Sequence, residues 1–216
     1  MIPANDTATN SLCTFTLRKG ESMNSTRFLA VGAAAVLAAG VAAGAAEQAP
    51  TVPHPAAEMA QLKPFEGSFA CTGQADASPF GSAHATASKV HTHGALGGFW
   101  VSGMVVETKT AATPRPMEGM FHMTFDPGKK QFVMLWVDNG GGWSQETSPG
   151  WNGDTMVWTG EGSMDGKTFA SRDTFTKKGA ETLEHAWELQ LNGTWTPLGH
   201  ETCTAAAPAA HHMMKH

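Results

Sequence analysis

The sequence predicts an all-β domain that closes into an antiparallel up-and-down barrel. From Phe65 onward, short runs rich in apolar, β-branched and aromatic residues alternate with glycine-containing turns, and no long helical period interrupts them. Successive hairpins place consecutive strands side by side, and closing the sheet removes its exposed edges. Because no long crossover connection is visible, a barrel follows more naturally than a sandwich.

About ten strands follow from the positions of the turns. Asn-Gly and Asp-Gly pairs are strong hairpin signals, because both central residues of a primed turn need positive φ. Such pairs occur at 152–153, 165–166 and 192–193. Within a barrel domain at 64–204, the predicted strands are 65–73, 82–93, 98–109, 118–126, 131–138, 142–149, 154–161, 167–176, 182–191 and 194–204.

Residues 1–46 have the features of a secretory signal peptide. A short basic start at 23–27 precedes an uncharged Ala/Gly/Val/Leu run at 28–46, which ends in small residues suited to cleavage. Met23 is the more natural start of translation. An uncleaved membrane anchor is the alternative, but an Ala- and Gly-rich run has a weak drive into lipid. The sequence therefore predicts a periplasmic or secreted protein with no membrane span after cleavage.

Two further segments flank the predicted barrel. Residues 47–63 are rich in Pro and Ala and are interpreted as a linker, with room for a short helix around 56–63. The tail at 205–216 is predicted to be disordered. It ends in HHMMKH, whose side chains suit Cu or Ni, although adventitious binding is the better explanation.

Cleavage would leave two cysteines, Cys71 and Cys203. They lie in the first and last predicted strands, which are neighbours only when the barrel closes. An even pair of cysteines in an oxidising compartment predicts a disulfide across this seam. Two buried free thiols are the alternative.

Charge and motifs exclude several functions. The formal net charge is −5 and no basic block occurs, so nucleic acid, which needs a basic footprint, is not an expected partner. The signatures G-x-S-x-G, C-x-x-C, H-E-x-x-H and the P-loop are absent. Catalysis is left open with the balance against it. An enzyme would need Glu107, Asp126, Asp138 or His185 as acid or base.

His91 and His93 are the candidate metal ligands. On a strand they point to one face about 7 Å apart at the backbone, which permits joint ligation. Lys89 shares that face and opposes a cation, and no third ligand is near in the sequence. A solvated strand end is therefore the alternative reading of this pair.

Four motifs carry a family resemblance. FEGSF at 65–69 is similar to the L-x-G-x-W start of lipocalin-like barrels, and LGGFW at 96–100 to an L-G-G-R-F/W turn. FHMTFD at 121–126 and FVMLWVD at 132–138 resemble G-Y-D and W-x-D segments. Together they resemble the bacterial lipocalin-like domain-of-unknown-function family 1579. The resemblance implies a calycin-like, ligand-binding barrel, related in shape to fatty-acid- and haem-binding barrels. Phe99 stands where Arg is common, which puts an arginine-dependent site in doubt.

We therefore expect a non-catalytic barrel that binds a small hydrophobic or amphipathic molecule. The predicted lining consists of Trp100, Met104, His122, Met134, Trp136, Trp158 and Trp187. Two alternatives stay open: a haem- or transition-metal-binding barrel that uses His122 or His185, and an envelope-associated structural module with a filled barrel. No cofactor is required by the sequence.

Overall fold

A computed structural model describes residues 52–111 and 113–206. The predicted signal peptide and the histidine-bearing tail from residue 207 onward lie outside the described residues. In these two ranges, no helix has both the length and the apolar character to span a membrane.

Antiparallel strands dominate the described residues. The strands are β1 (Gly67–Ala75), β2 (His84–Ala95), β3 (Trp100–Glu107), β4 (Glu118–Asp126), β5 (Gln131–Asp138), β6 (Trp143–Ser148), β7 (Trp151–Asn152), β8 (Thr155–Met164), β9 (Lys167–Lys177), β10 (Thr182–Leu191) and β11 (Thr194–Ala205). Short 3₁₀ helices at Ala57–Phe65 and Leu96–Gly98 precede β1 and β3. The turns at 165–166 and 192–193 have positive φ at both residues, as primed hairpin turns require.

Ten of the strands form a closed ring. Neighbouring strands along the chain pair antiparallel, β1 pairs with β11, and β6 pairs with β8. The two-residue β7 pairs only with the start of β8 and stays outside the ring. The predicted barrel is thus confirmed, with β7 as an added short strand and with β11 reaching one residue into the predicted tail.

Cysteines join the two ends of the ring. Cys71 of β1 lies directly opposite Cys203 of β11, and a disulfide links them. The β1–β11 pair is where the first and last strands meet. The predicted seam disulfide is therefore present, and it holds the barrel closed covalently.

Strand alternation places the core inside the ring. In β4, Phe121 and Met123 are buried, whereas Met120, of the opposite phase, is exposed. In β5, Phe132 is buried and Val137, of the opposite phase, is exposed. Successive side chains of a strand point to opposite faces, so one phase of each strand faces the lumen and the other faces solvent.

The first 3₁₀ helix packs against this core. Its Leu62 and Phe65 are buried with the inward residues of the strands. Phe65 stacks on Trp151 with ring centroids 5.6 Å apart and meets Phe175 edge-on at 5.0 Å. The indole N–H of Trp151 donates to the carbonyl of Gln61 at 2.8 Å, which ties β7 to the helix.

Candidate functional site

The barrel encloses a cavity of about 350 Å³, a size within the range of small-molecule sites. Side chains therefore do not fill the lumen, contrary to the filled-barrel alternative. Most of the wall is apolar. The aromatic members of the wall are Phe65, Phe69, Phe121, Trp136, Phe175 and Trp187.

Glycines keep three of these aromatic rings against the wall. Each ring occupies the space that a Cβ atom on a glycine of the neighbouring strand would need. A glycine in a strand commonly marks such a close approach. The pairs are Gly103 with Phe121, Gly119 with Trp136, and Gly199 with Trp187. Because these rings pack over a bare backbone, they do not cross the lumen, and the cavity stays open.

The polar part of the wall is acidic. Six carboxyl groups line the cavity against a single imidazole, and no Lys or Arg of the described ranges lines it. The carboxyl groups belong to Glu107, Asp138, Glu146, Asp173, Glu188 and Glu201, and the imidazole belongs to His185. Such a wall disfavours an anionic ligand, because like charges repel strongly where little water screens them.

Three of these carboxyl groups accept hydrogen bonds from groups other than His185. Arg172 donates from Nε to Glu188 at 2.6 Å. Asp138 accepts the indole N–H of Trp136 at 3.1 Å. Glu107 accepts a backbone N–H at 2.9 Å. These bonds fix the three carboxylates in place and leave Glu146, Asp173 and Glu201 as the inner acidic cluster.

His185 bridges two members of the inner acidic cluster. Its Nε2 lies 2.5 Å from Oδ1 of Asp173, and its Nδ1 lies 3.4 Å from Oε1 of Glu201. The register explains this arrangement, since His185 of β10 is directly opposite Glu201 of β11 and Phe175 of β9. The Phe175 ring stacks on the imidazole with centroids 4.3 Å apart. Three adjacent strands therefore build one ion triad.

The triad keeps His185 charged. Burial lowers the pKa of His185, but hydrogen bonds to Asp173 and Glu201 and the charges of these carboxylates outweigh burial and raise the pKa to about 9. At neutral pH both ring nitrogens therefore carry protons and donate to carboxylates. An imidazolium has no free lone pair, so it offers neither a general base nor a metal ligand.

Glu146 makes no close hydrogen bond to the described residues, although Ser171 and Asp173 lie near enough to influence its pKa. It is fully buried. It lies on β6 opposite Gly160 of β8, which is itself opposite Ser171 of β9, so no side chain separates Glu146 from Ser171. Burial, together with the negative charge of Asp173, raises the pKa of Glu146 to about 8. The carboxyl group is therefore mostly protonated at neutral pH.

Hydroxyl groups in the wall share this lack of partners. The side-chain oxygens of Thr86, Thr92 and Ser171 are buried without a hydrogen bond to the described residues, and all three residues line the cavity. An unsatisfied buried polar group costs roughly 1–3 kcal/mol. A molecule in the lumen that supplied partners to these groups would recover part of that cost.

Comparisons with known proteins identify the family. A family model described as "Protein of unknown function (DUF1579)" matches residues 54–198. The chain belongs to the DUF1579 family. Among solved structures, the crystal structure of Rv2717c from M. tuberculosis matches with a TM-score of 0.55 and 12% sequence identity, covering 71% of this chain and 100% of that chain. At that identity the likeness shows the fold alone. No curated protein matches the chain.

In this DUF1579 barrel, three of the predicted lining residues, Met134, Trp136 and Trp187, lie in the cavity wall, and their contact with a ligand stays a prediction. Trp158 is instead fully buried in the core. There it packs edge-on against Phe132 with ring centroids 6.3 Å apart. Trp158 points to the inside of the barrel, but its side chain packs within the hydrophobic core and does not line the cavity.

The remaining three predicted lining residues lie on the outer face. Val101 points inward and is buried, so alternation turns Trp100 and Ser102 of β3 outward. Met104, of the same outward phase, is 47% exposed. His122 of β4 also points outward, where its Nδ1 pairs with Oγ of Ser102 at 2.8 Å. These positions correct the predicted lining, and His122 cannot reach a molecule in the lumen.

His91 and His93 lie on the outer face of β2, with ring centroids 6.0 Å apart. Nδ1 of His91 pairs with Oγ of Ser68 at 3.0 Å. Within residues 52–111 and 113–206, no third candidate ligand joins the two imidazoles in a metal-sized cluster. Their predicted metal site stays a prediction.

Sequence reasoning named His185 but missed the inner acidic cluster around it. The available signal was strand phase. Asp173 is two residues before the inward Phe175, and Glu201 is two residues before Cys203, so both belong to inward phases. A charged residue in the inward phase of a barrel strand is the pattern that would have identified them.

Proposed function

We propose that this DUF1579 protein binds a small amphipathic molecule in the lumen of its barrel and does not transform it. A hollow, mostly apolar cavity of about 350 Å³ with a few convergent polar groups is the observation that supports binding. Aromatic walls offer contact area for the apolar part of a ligand. The unpartnered Glu146, Thr86, Thr92 and Ser171 offer hydrogen bonds to its polar part.

The state of His185 favours binding over catalysis. A buried carboxylate–histidine pair inside a pocket is the arrangement that an acid–base enzyme would need. Here the imidazole donates to carboxylates from both nitrogens and its pKa is about 9, so it has no lone pair to accept a substrate proton near neutral pH. Because both ring nitrogens are protonated and hydrogen-bonded, His185 also has no free nitrogen with which to bind haem iron or another metal.

We further propose that the protein is exported. The disulfide between Cys71 and Cys203 supports this location, because structural disulfides persist in oxidising compartments such as the periplasm. Detection of the disulfide-linked chain in a periplasmic fraction, and not in the cytoplasm, is the expected result.

Fluorescence titration tests the binding function. Trp136 and Trp187 line the cavity, so occupancy should change their emission and raise the melting temperature. A lumen-filling variant, Met134→Trp, should lose this response, whereas the outer-face variant Met120→Trp should keep it. Unchanged emission and melting temperature across neutral, anionic and cationic amphiphiles would contradict the proposed function.

A further inference from the structure

The acidic wall narrows the class of ligand, and this step rests on the proposed binding function. We propose that the lumen selects an organic cation, an amphipathic ammonium compound, over anionic and neutral molecules of the same chain length, and that the inner acidic cluster of Glu146, Asp173 and Glu201 neutralises its charge.

Charge balance is the first reason. Arg172 offsets Glu188, and His185 offsets one member of the inner acidic cluster. Glu146 is mostly protonated at neutral pH, and the remaining carboxylates of the wall face no Lys or Arg in the cavity lining of the described residues. In an interior of low effective dielectric constant, this excess attracts a cation and repels a carboxylate or sulfate head group.

Glu146 is the second and independent reason. It is fully buried in the cavity wall, and neither of its carboxyl oxygens makes a close hydrogen bond to the described residues. Buried carboxyl groups are normally paired or hydrogen-bonded, since an unpaired one is costly. Ser171 and Asp173 lie nearby but make no close hydrogen bond to Glu146, and no Lys or Arg of the described residues lines the cavity, so a cation bound in the lumen would supply the missing counter-charge.

The aromatic wall is the third reason. Trp136 and Trp187 line the cavity beside Gly119 and Gly199, and Trp187 already lies next to the charged ring of His185, with ring centroids 5.2 Å apart. The face of an indole attracts a cation, most strongly where water is excluded. Carboxylates and indole faces around one cavity form the usual chemistry of ammonium recognition.

Binding should be coupled to the proton on Glu146. The charged groups near Glu146 are Asp173 of β9 and His185 of β10, while its neighbours on β5 and β8 are Met134 and Gly160. Because burial raises the pKa of Glu146 to about 8, the group is protonated at pH 7. A cation favours the ionised form, so binding at pH 7 should release a proton, and affinity should rise as the pH rises through 8.

Three probes with the same alkyl chain test the proposal on the full-length, disulfide-bonded protein: decyltrimethylammonium, 1-decanol and decyl sulfate. The quaternary ammonium does not titrate, so any pH dependence comes from the protein. Calorimetry at pH 7 should show the ammonium binding at least about tenfold tighter than the alcohol, with the sulfate weakest. Titrations in buffers of different ionisation enthalpy should show proton release with the ammonium alone.

A matched pair of variants locates the effect. Glu146→Gln should abolish the proton release and reduce the preference for the ammonium, whereas Glu161→Gln, an exposed carboxyl on the outer face of β8, should change neither. The ranking of probes on the unsubstituted protein decides the question even where a variant folds poorly. An alcohol that binds as tightly as the ammonium overturns the cation preference and leaves the binding function standing. No binding of any probe overturns both.

Discussion

Oδ1 of Asp173 lies 2.5 Å from Nε2 of His185, and this contact helps to keep the imidazole charged in the folded protein. The pKa of His185 is about 9 against an ordinary value of 6.5. The folded state therefore binds this proton more tightly than the unfolded chain does. The resulting stabilisation is fully present below pH 6.5 and is lost as the pH rises through 9, and its size is on the order of 3 kcal/mol.

Urea unfolding between pH 6 and pH 10 checks this linkage. The free energy of unfolding should fall across that range, and His185→Gln should make the fall shallower. His122→Gln, at an outer-face imidazole that takes no part in the triad, is the matched control. A native protein equally stable at pH 6.5 and pH 9.5 would show that the triad does not hold the proton.

Glu146→Gln should make the protein more stable than the native chain at pH 9.5. The pKa of Glu146 rises from 4.5 to about 8 on folding, so its contribution to stability is present below pH 4.5 and is lost as the pH rises through 8. Glutamine resembles the protonated form and does not ionise. At pH 6 the advantage of glutamine should be smaller than at pH 9.5, because at pH 6 the folded chain does not yet have to bury an ionised carboxylate.

Thermal melts of both proteins at pH 6 and pH 9.5 provide the measurement for Glu146, with Glu161→Gln as the exposed control. A native protein that melts higher than Glu146→Gln at pH 9.5 would mean that the ionised carboxylate has found a partner. The order of the two melting temperatures at high pH is therefore decisive.

Reduction of the Cys71–Cys203 disulfide should destabilise the barrel by on the order of 4 kcal/mol, because the bond closes a long loop that is otherwise free in the unfolded chain. Melting temperatures with and without reductant, and of the double variant Cys71→Ser/Cys203→Ser, measure the effect. Reductant should not affect the double variant. Two titratable thiols in the mature, air-exposed protein would disprove the bond.

Gly103→Ala should cost about 1–3 kcal/mol, because the added methyl group collides with the Phe121 ring and forces it toward the lumen. Gly81→Ala is the matched control, since nothing lies within 4 Å of a Cβ at that position. Chemical denaturation measures both changes. Adding Phe121→Leu to Gly103→Ala should recover much of the loss, and no recovery would point to a cause other than the ring.

Turn chemistry and strand spacing were enough to predict the ring, since hairpins are local and Cys71 and Cys203 mark the seam. The inward faces were harder to assign. Apolar side chains occupy both phases of several strands: Met104 and Met120 are exposed although they are large and apolar. Alternation groups residues into two faces, but only the closed ring decides which face is inside.

The inner acidic cluster was beyond sequence reasoning for a related reason. Glu146, Asp173 and Glu201 come from three strands that are far apart in the chain, and their convergence depends on the β6–β8 closure and on the register of β9, β10 and β11. The absence of a side chain at Gly160, between Glu146 and Ser171, has no local sequence signature.

The glycine–aromatic pairs also give a way to compare related chains. Where a relative carries a larger residue at the position of Gly103, Gly119 or Gly199, the facing ring must tilt inward or become smaller. The residues at these three positions would thus indicate how wide the lumen is in each related barrel. Lumen width in such proteins would then be inherited through backbone positions that never touch a ligand.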